Sequence, residues 1–318
     1  MKKGETYVGK VRELAFPNKG IASVDGVDVV IKNTLPGQEV SFILNRNKPG
    51  LKEGRLVEIL QRSVTETEEG CSVCDKCGGC AYQTLPYEEE LRLKDGMART
   101  VLGKALKQHE GVFYEETDGQ EKPDTGNPQF LLNRIYEGIT GSPEDRGYRN
   151  KMEFSFGNEV KDGPITLGMH VSGHFMDVID TPDCRIVDGD FRSIRAFVIK
   201  YAAERGLPFY HRYSNTGFLR NLLVRKGKNT GEILVDIVTT SDGELDEAAF
   251  VRGLCGIVLG GNLTGILHTV NDGVADVVKN EETFILYGRD FIYDELLGLK
   301  FRISAFSFFQ TNTKGAEL

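Results

Sequence analysis

Four cysteines fall within ten residues, Cys71-Ser72-Val73-Cys74-Asp75-Lys76-Cys77-Gly78-Gly79-Cys80, each separated from the next by two others. No other feature constrains the fold so strongly. Thiols packed this tightly either pair as disulfides or converge on a metal, and the compartment decides between them. The start, Met1-Lys2-Lys3-Gly4-Glu5, leads into no apolar run of the kind a secretory signal needs. No stretch approaches the roughly 18 apolar residues of a membrane span. A cytoplasmic setting without a membrane partner is therefore expected, and with it a metal site. A single zinc usually takes two Cys pairs a dozen or more residues apart, so that they approach from opposite sides. The unbroken run is closer to bacterial ferredoxin spacing, where three cysteines bind one cluster and a remaining ligand lies elsewhere. Gly78 and Gly79 would let backbone amides approach the sulfides. The spacing favours iron–sulfur, with zinc open beside it.

The chain around this run divides by pattern. From Glu5 to about Ile59, short alternating apolar runs (Tyr7–Val11, Gly20–Val24, Val27–Ile31, Val40–Leu44) are broken by turn signals at Asp25-Gly26, Leu35-Pro36-Gly37 and Lys48-Pro49-Gly50. Five short strands in residues 1–62 predict a small closed barrel of OB type. Such barrels often bind single-stranded nucleic acid, although a purely structural barrel reads the same way. These 62 residues hold eleven Lys/Arg against seven Asp/Glu, a local balance of +4 in a chain of net charge −8. A basic module on an acidic body suits local phosphate contact rather than a grip over the whole surface.

Residues 63–84 hold a polar, acidic linker and the cysteine loop. Pro86 suits the first turn of a helix whose apolar face is Leu91, Met97, Val101, Leu102 and Ala105, within a segment spanning 85–114. Residues 115–130 read as a loop rich in Gly and Pro. Residues 115–300 read as an α+β domain with a mixed or antiparallel sheet and a helix over Phe191–Glu204.

Several motifs then line up in order. Cys71-x5-Cys77-Gly78-Gly79-Cys80-x2-Gln83, followed by Tyr87, Leu91 and Lys94, resembles the cluster motif of the 23S rRNA (uracil-5-)-methyltransferases. So do Gly147-Tyr148-Arg149-Asn150-Lys151-Met152-Glu153-Phe154, Leu167-Gly168-Met169-His170, Leu219-Arg220-Asn221-Leu222 and Phe301-Arg302-Ile303-Ser304-Ala305-Phe306-Ser307-Phe308-Phe309-Gln310-Thr311-Asn312-Thr313. Thr84 stands where the family often has His, and Ala305 where it usually has Pro.

The resemblance implies a [4Fe–4S] cluster on Cys71, Cys77, Cys80 and the distal Cys184, with Cys74 spare. Cys74 as a ligand in place of Cys71 or Cys184 is the alternative. It implies that residues 1–62 are a TRAM-type RNA-binding barrel and that Gln310 contacts S-adenosyl-L-methionine. The expected partner is RNA, 23S rRNA in the first instance. Arg149 and Lys151, beside the Tyr148 ring, suit phosphate pairing and base stacking, and a solvated strand end is the plainer reading. His170 and His174 could contact RNA or flank the cluster, with structural hydrogen bonding favoured.

In the family a cysteine adds to uracil C6, the enolate takes the methyl at C5, and a carboxylate removes the C5 proton. No residue before 318 matches those groups. Cys255 reads as a buried small apolar residue, and Gly256–Gly261 has the wrong order for a cofactor loop. Residues 301–318 are therefore expected to begin a Rossmann-like methyltransferase domain that is otherwise absent, leaving an RNA-binding, iron–sulfur fragment that is inactive by itself. The competing expectation is a stand-alone RNA-binding iron–sulfur or zinc protein without enzymatic activity.

Overall fold

A computed structural model describes residues 1–67, 70–108, 128–274 and 282–318. It divides into two compact units, Met1–Gly70 with Ala81–Gly141, and Cys71–Cys80 with Ser142–Leu318.

In the first unit, strands β1 (Thr6–Ala15), β2 (Lys19–Val24), β3 (Val27–Lys32), β4 (Glu39–Lys48) and β5 (Leu51–Gln61) close into a barrel in the order β1-β2-β3-β5-β4. Alternation along the strands turns Val11, Ala22, Val29, Ile31, Val40, Phe42 and Leu44 into one buried interior. Asp25 and Gly26 both take positive φ in the tight turn between β2 and β3. Closing the sheet on itself leaves no edge to pair with a second chain. The acidic linker is fixed by Glu66, which accepts hydrogen bonds from Gln38 Nε2 (2.9 Å), the Ser63 amide (2.8 Å) and Thr84 Oγ1 (2.8 Å). These bonds, with that from Arg62, hold its carboxyl below the usual range against the opposing effect of burial.

Helix α1 (Tyr87–Gln108) follows Pro86, with Glu88, Glu89 and Glu90 in its first turn and Lys107 in its last, matching the helix dipole. Met97 and Leu93 turn towards Leu35, Tyr82 and Leu14, while Val101 and Leu102 face outward. Helix α2 (Pro128–Ile135) leads into Tyr136, whose hydroxyl donates to Asp95 (2.8 Å). The loop expected over 115–130 lies outside the described residues as far as 127, and residues 128–130 open α2 instead.

The second unit is built on β6 (Lys151–Gly157), β7 (Thr166–Val171), β8 (His174–Asp180), helix α3 (Gly189–Glu204), β9 (Leu219–Lys226), β10 (Glu232–Thr239), helix α4 (Glu247–Cys255), β11 (Asn262–Val270) and β12 (Glu282–Gly288). The seven strands form one sheet in the order β12-β11-β10-β9-β6-β7-β8, antiparallel except for β10 beside β11. The crossover between the parallel pair carries α4, as parallel neighbours require. Asp188 caps α3 and Asp246 caps α4, each accepting a hydrogen bond from an amide of the first turn. One sheet face, with Met152, Phe154, Leu222, Val224, Val235 and Ile266, packs against Ile194, Val198 and Tyr201 of α3 and Phe250 and Leu254 of α4.

The other face is capped in part by the hairpin of β13 (Phe291–Leu296) and β14 (Leu299–Ser304), ahead of the short helix α5 (Thr313–Ala316). Residues 301–318 belong to this same unit. Ile303 and Ala305 are buried against Leu223, Leu234 and Leu267, so this segment completes the core of the central sheet. Its alternating apolar residues are explained by that burial.

Candidate functional site

The polar face of the central sheet brings together two motifs that the sequence holds far apart. Asn150, nearly buried at the entry to β6, donates through Nδ2 to the Gln310 carbonyl (2.7 Å) and to Thr313 Oγ1 (2.9 Å). Its amide donates to the Thr311 carbonyl (2.9 Å), and Arg149 forms a β-bridge with Asn312. Thr313 is held in turn by the buried Asp294, which also accepts from the amides of Lys228 (3.0 Å) and Asn229 (2.9 Å). Arg225, opposite Lys151 in the sheet register, donates to the carbonyls of Ala305 (2.8 Å) and Ser307. A guanidinium thus fixes the turn that follows Ala305.

Arg149, Lys151 and Arg225 form a cationic patch. Burial pushes the Arg225 guanidinium down to about 10. Burial, then the neighbouring Arg225, and more weakly Arg149, lower the Lys151 ammonium, with Glu153 opposing them. Like charges held together in a half-dry site favour an anionic ligand. Gln310, whose carbonyl Asn150 holds, is exposed.

Deeper in the same face lies Asp236, which the sequence reading missed. It is fully buried on β10, accepts a hydrogen bond from Thr269 Oγ1 (3.0 Å), and is pushed up to about 7, chiefly by burial. The available signal was a lone carboxylate in the middle of Ile233-Leu234-Val235-Asp236-Ile237-Val238, where an unpaired charge is costly.

The cysteine loop belongs to the same unit. The Gly78 amide donates to the His170 carbonyl (2.9 Å), the Ser172 amide to the Lys76 carbonyl (2.7 Å), and Cys77 bridges Val171, so the loop is laid along the end of β7. Ser72 Oγ donates to Asp183 Oδ1 (2.9 Å), which brings the loop to Cys184. Cys80 and Cys184 both pack against the main core. The thiols of Cys71, Cys77, Cys80 and Cys184 lie within electrostatic reach of one another. Burial first, and then these neighbours, raise Cys80 to about 12 and push Cys71 and Cys184 upward. The Cys74 thiol points to Asp75 (3.8 Å). Among the described residues, no three His, Cys, Asp or Glu side chains are set in a geometry that holds a metal ion.

His170 has a structural role: its Nε2 lies 3.1 Å from Ser155 Oγ and 3.2 Å from Arg212 Nη2. His174 pairs with Asp177 (3.5 Å) at the surface. Cys255, expected to be buried, is exposed, because it falls on the outer side of α4 after Leu254 enters the core. No described helix is long and apolar enough to cross a membrane.

No family model matches the chain. It is nevertheless similar along its whole length to proteins named uncharacterized RNA methyltransferases. That of Clostridium tetani is 40% identical over 317 residues, covering 100% of this chain and 64% of the relative. That of Clostridium acetobutylicum is 41% identical over the same shares. That of Porphyromonas gingivalis is 28% identical over 96% of this chain and 64% of the relative. The chain therefore spans about 64% of the length of these relatives.

Among solved structures, the tRNA (uracil-54, C5)-methyltransferase of Pyrococcus abyssi, in complex with S-adenosyl-L-homocysteine, shares the fold. The TM-score is 0.65 at 22% identity, over 98% of this chain and 62% of that one. These matches also overturn the expected fold class of a remnant stripped of its methyltransferase fold, since methyltransferases match every part of the chain. From end to end, then, the sequence is similar to proteins named uncharacterized RNA methyltransferases, and its fold is shared with a tRNA uracil-C5 methyltransferase.

Proposed function

We propose that this protein methylates uracil C5 in RNA, with S-adenosyl-L-methionine as methyl donor. The observation that carries the reading is the 40% identity to an RNA methyltransferase over the whole chain. The shared fold with a uracil-C5 enzyme supports the position of the methyl. The comparisons lend no support to a binding protein without enzymatic activity, nor to an inactive chain.

On this reading residues 1–62 form the TRAM-type barrel that holds RNA, and Arg149 and Lys151 add phosphate contacts from the central unit. Gln310 faces the cofactor, positioned by the bond from Asn150 to its carbonyl. The cofactor supplies an electrophilic methyl group. The chain's own part is to orient that donor and to hold the RNA strand against it. The barrel favours 23S rRNA, the tRNA substrate of the similarly folded P. abyssi enzyme favours tRNA, and the work belongs in the cytoplasm.

We further propose a [4Fe–4S] cluster on Cys71, Cys77, Cys80 and Cys184, a reading supported by the soft thiolate donor set and by the electrostatic proximity of these four thiols, with Cys74 turned to Asp75. When bound, it would tie the cysteine loop to the segment around Cys184, so that loss of metal becomes a folding defect. Anaerobically purified protein should be brown. Cys→Ala at any of the four should bleach it, whereas Cys74→Ala should not.

The activity test is methyl transfer from labelled S-adenosyl-L-methionine by the full-length protein, offered 23S rRNA and tRNA transcripts separately. The expected product is 5-methyluridine in one of them. Label at another position, or in neither RNA, would refute the proposal.

A further inference from the structure

Beside β6, β7 and β8 lies a cavity of about 660 Å³ that takes no part in the seam around Asn150 or in the cysteine loop. Its lining includes Lys161, His170, Phe209, His211, Arg212 and Tyr213. The volume falls within the roughly 300–1,000 Å³ of sites that enclose a small ligand. The wall formed by residues 209–213 is built rather than loose. The His211 amide donates to the Thr216 carbonyl (2.7 Å) and the Asn215 amide to the His211 carbonyl (2.8 Å). Tyr210 is braced by its bond to Asn215 Oδ1 (3.0 Å) and by Arg220, 4.4 Å over its ring. Arg212 is aimed inward, with Nη2 3.2 Å from His170 Nε2. Tyr213, at the end of this braced turn, is 89% exposed, a large ring held out in water at the mouth of the cavity.

Resting on the RNA reading above, we propose that this cavity receives one unpaired nucleotide of the RNA strand. The base stacks on Tyr213, and its phosphate meets Arg212 and Lys161. Ring faces interleaved with cations are the chemistry of single-strand recognition, since every base offers a π-face and every linkage one charge. Asp162 and Asp177 also line the cavity. Their charge disfavours a polyanion such as a triphosphate and leaves a single phosphate as the best match. A duplex cannot present a splayed base, so it cannot fill the site.

The test uses the full-length protein with a short oligouridylate and with a blunt duplex of equal length. Tyr213→Ala should weaken single-strand binding roughly tenfold while leaving duplex binding unchanged. Arg212→Ala should lower the salt slope of single-strand binding by about one. Crosslinks from 4-thiouridine should fall within residues 209–213. Wild-type protein that methylates RNA, with both variants binding like wild type and crosslinks elsewhere, would overturn the pocket alone. Wild-type protein that neither binds nor methylates RNA would overturn the pocket together with the reading beneath it.

Discussion

The two faces of the central sheet are made by alternate residues of the same strands and have opposite chemistry. Towards α3 and α4, Phe154, Leu222, Val235 and their neighbours form a continuous apolar core. On the other side the same strands alternate Leu223, Leu234 and Leu267, covered by the β13–β14 hairpin, with Lys151, Ser155, Asn221, Arg225 and Asp236, four of these five polar residues being buried. The apolar face holds the fold by burial, at about 25 cal/mol per Å². The polar face gains little from burial, because each group must recover its lost hydration through a hydrogen bond. On the proposed function, the polar groups of the second face are kept for RNA and cofactor, and the contrast can be broken from either side.

The largest effect should come from the apolar face. Phe250 is fully buried and meets Tyr201 edge-on at 5.2 Å between ring centres. Phe250→Ala should cost about 3–5 kcal/mol in denaturant unfolding. The folded fraction should keep its affinity for RNA and for S-adenosyl-L-methionine, and a selective loss of either would blur the contrast.

Asp236 should leave a signature in pH. Its folded carboxyl sits near 7, well above the ordinary value of 3.8. The folded state therefore binds a proton more tightly than the unfolded chain does. Stability is greatest below about pH 4 as far as this group is concerned, and it falls as pH rises towards 7. The loss over the whole range is on the order of 4 kcal/mol, of which about 2–3 kcal/mol falls above pH 5. Asp236→Asn should flatten that slope, as measured by unfolding at pH 5 and pH 8. An unchanged slope would mean that the carboxyl is not held neutral.

Arg225→Met should cost about 2–3 kcal/mol, because the carbonyls of Ala305 and Ser307 lose a charged donor. Limited proteolysis should then cut near residues 305–310 first, while equal protection there would remove Arg225 from the role of clamp. The smallest effect belongs to Lys151→Ala. It should leave stability within about 0.5 kcal/mol and reduce the salt slope of RNA binding by about one. An unaltered slope would return Lys151 to the role of a solvated strand end.

What was legible in the sequence follows the range of the interactions. Strands β1 to β4 were readable because their alternation answers to a local requirement, one side in and one side out. Helix α3 was readable for the same reason. Helix α4 was missed: it has only nine residues and contains Gly253, a weak helix former. The packing of the C-terminal segment on the central sheet was not legible, because Phe301–Phe309 has the same apolar look whether it opens a new domain or covers an old one. The cysteine run declared itself by spacing. The seam did not, since Asn150 and Gln310 meet only after the chain has built β6 and returned through β14. Asp236 stood in plain view inside an apolar run.

The most direct test of the contrast is Asn150→Ala in the full-length protein, read by equilibrium unfolding and by methyl-transfer kinetics on the same preparation. Asn150 joins the two motifs through bonds to Gln310 and Thr313, so its loss should cost only about 1–2 kcal/mol of stability. The KM for S-adenosyl-L-methionine should rise at least about tenfold, the equivalent of about 1.4 kcal/mol of cofactor binding. If KM stays at the wild-type value and activity falls only in step with the unfolded fraction, the polar face is structural and the account fails.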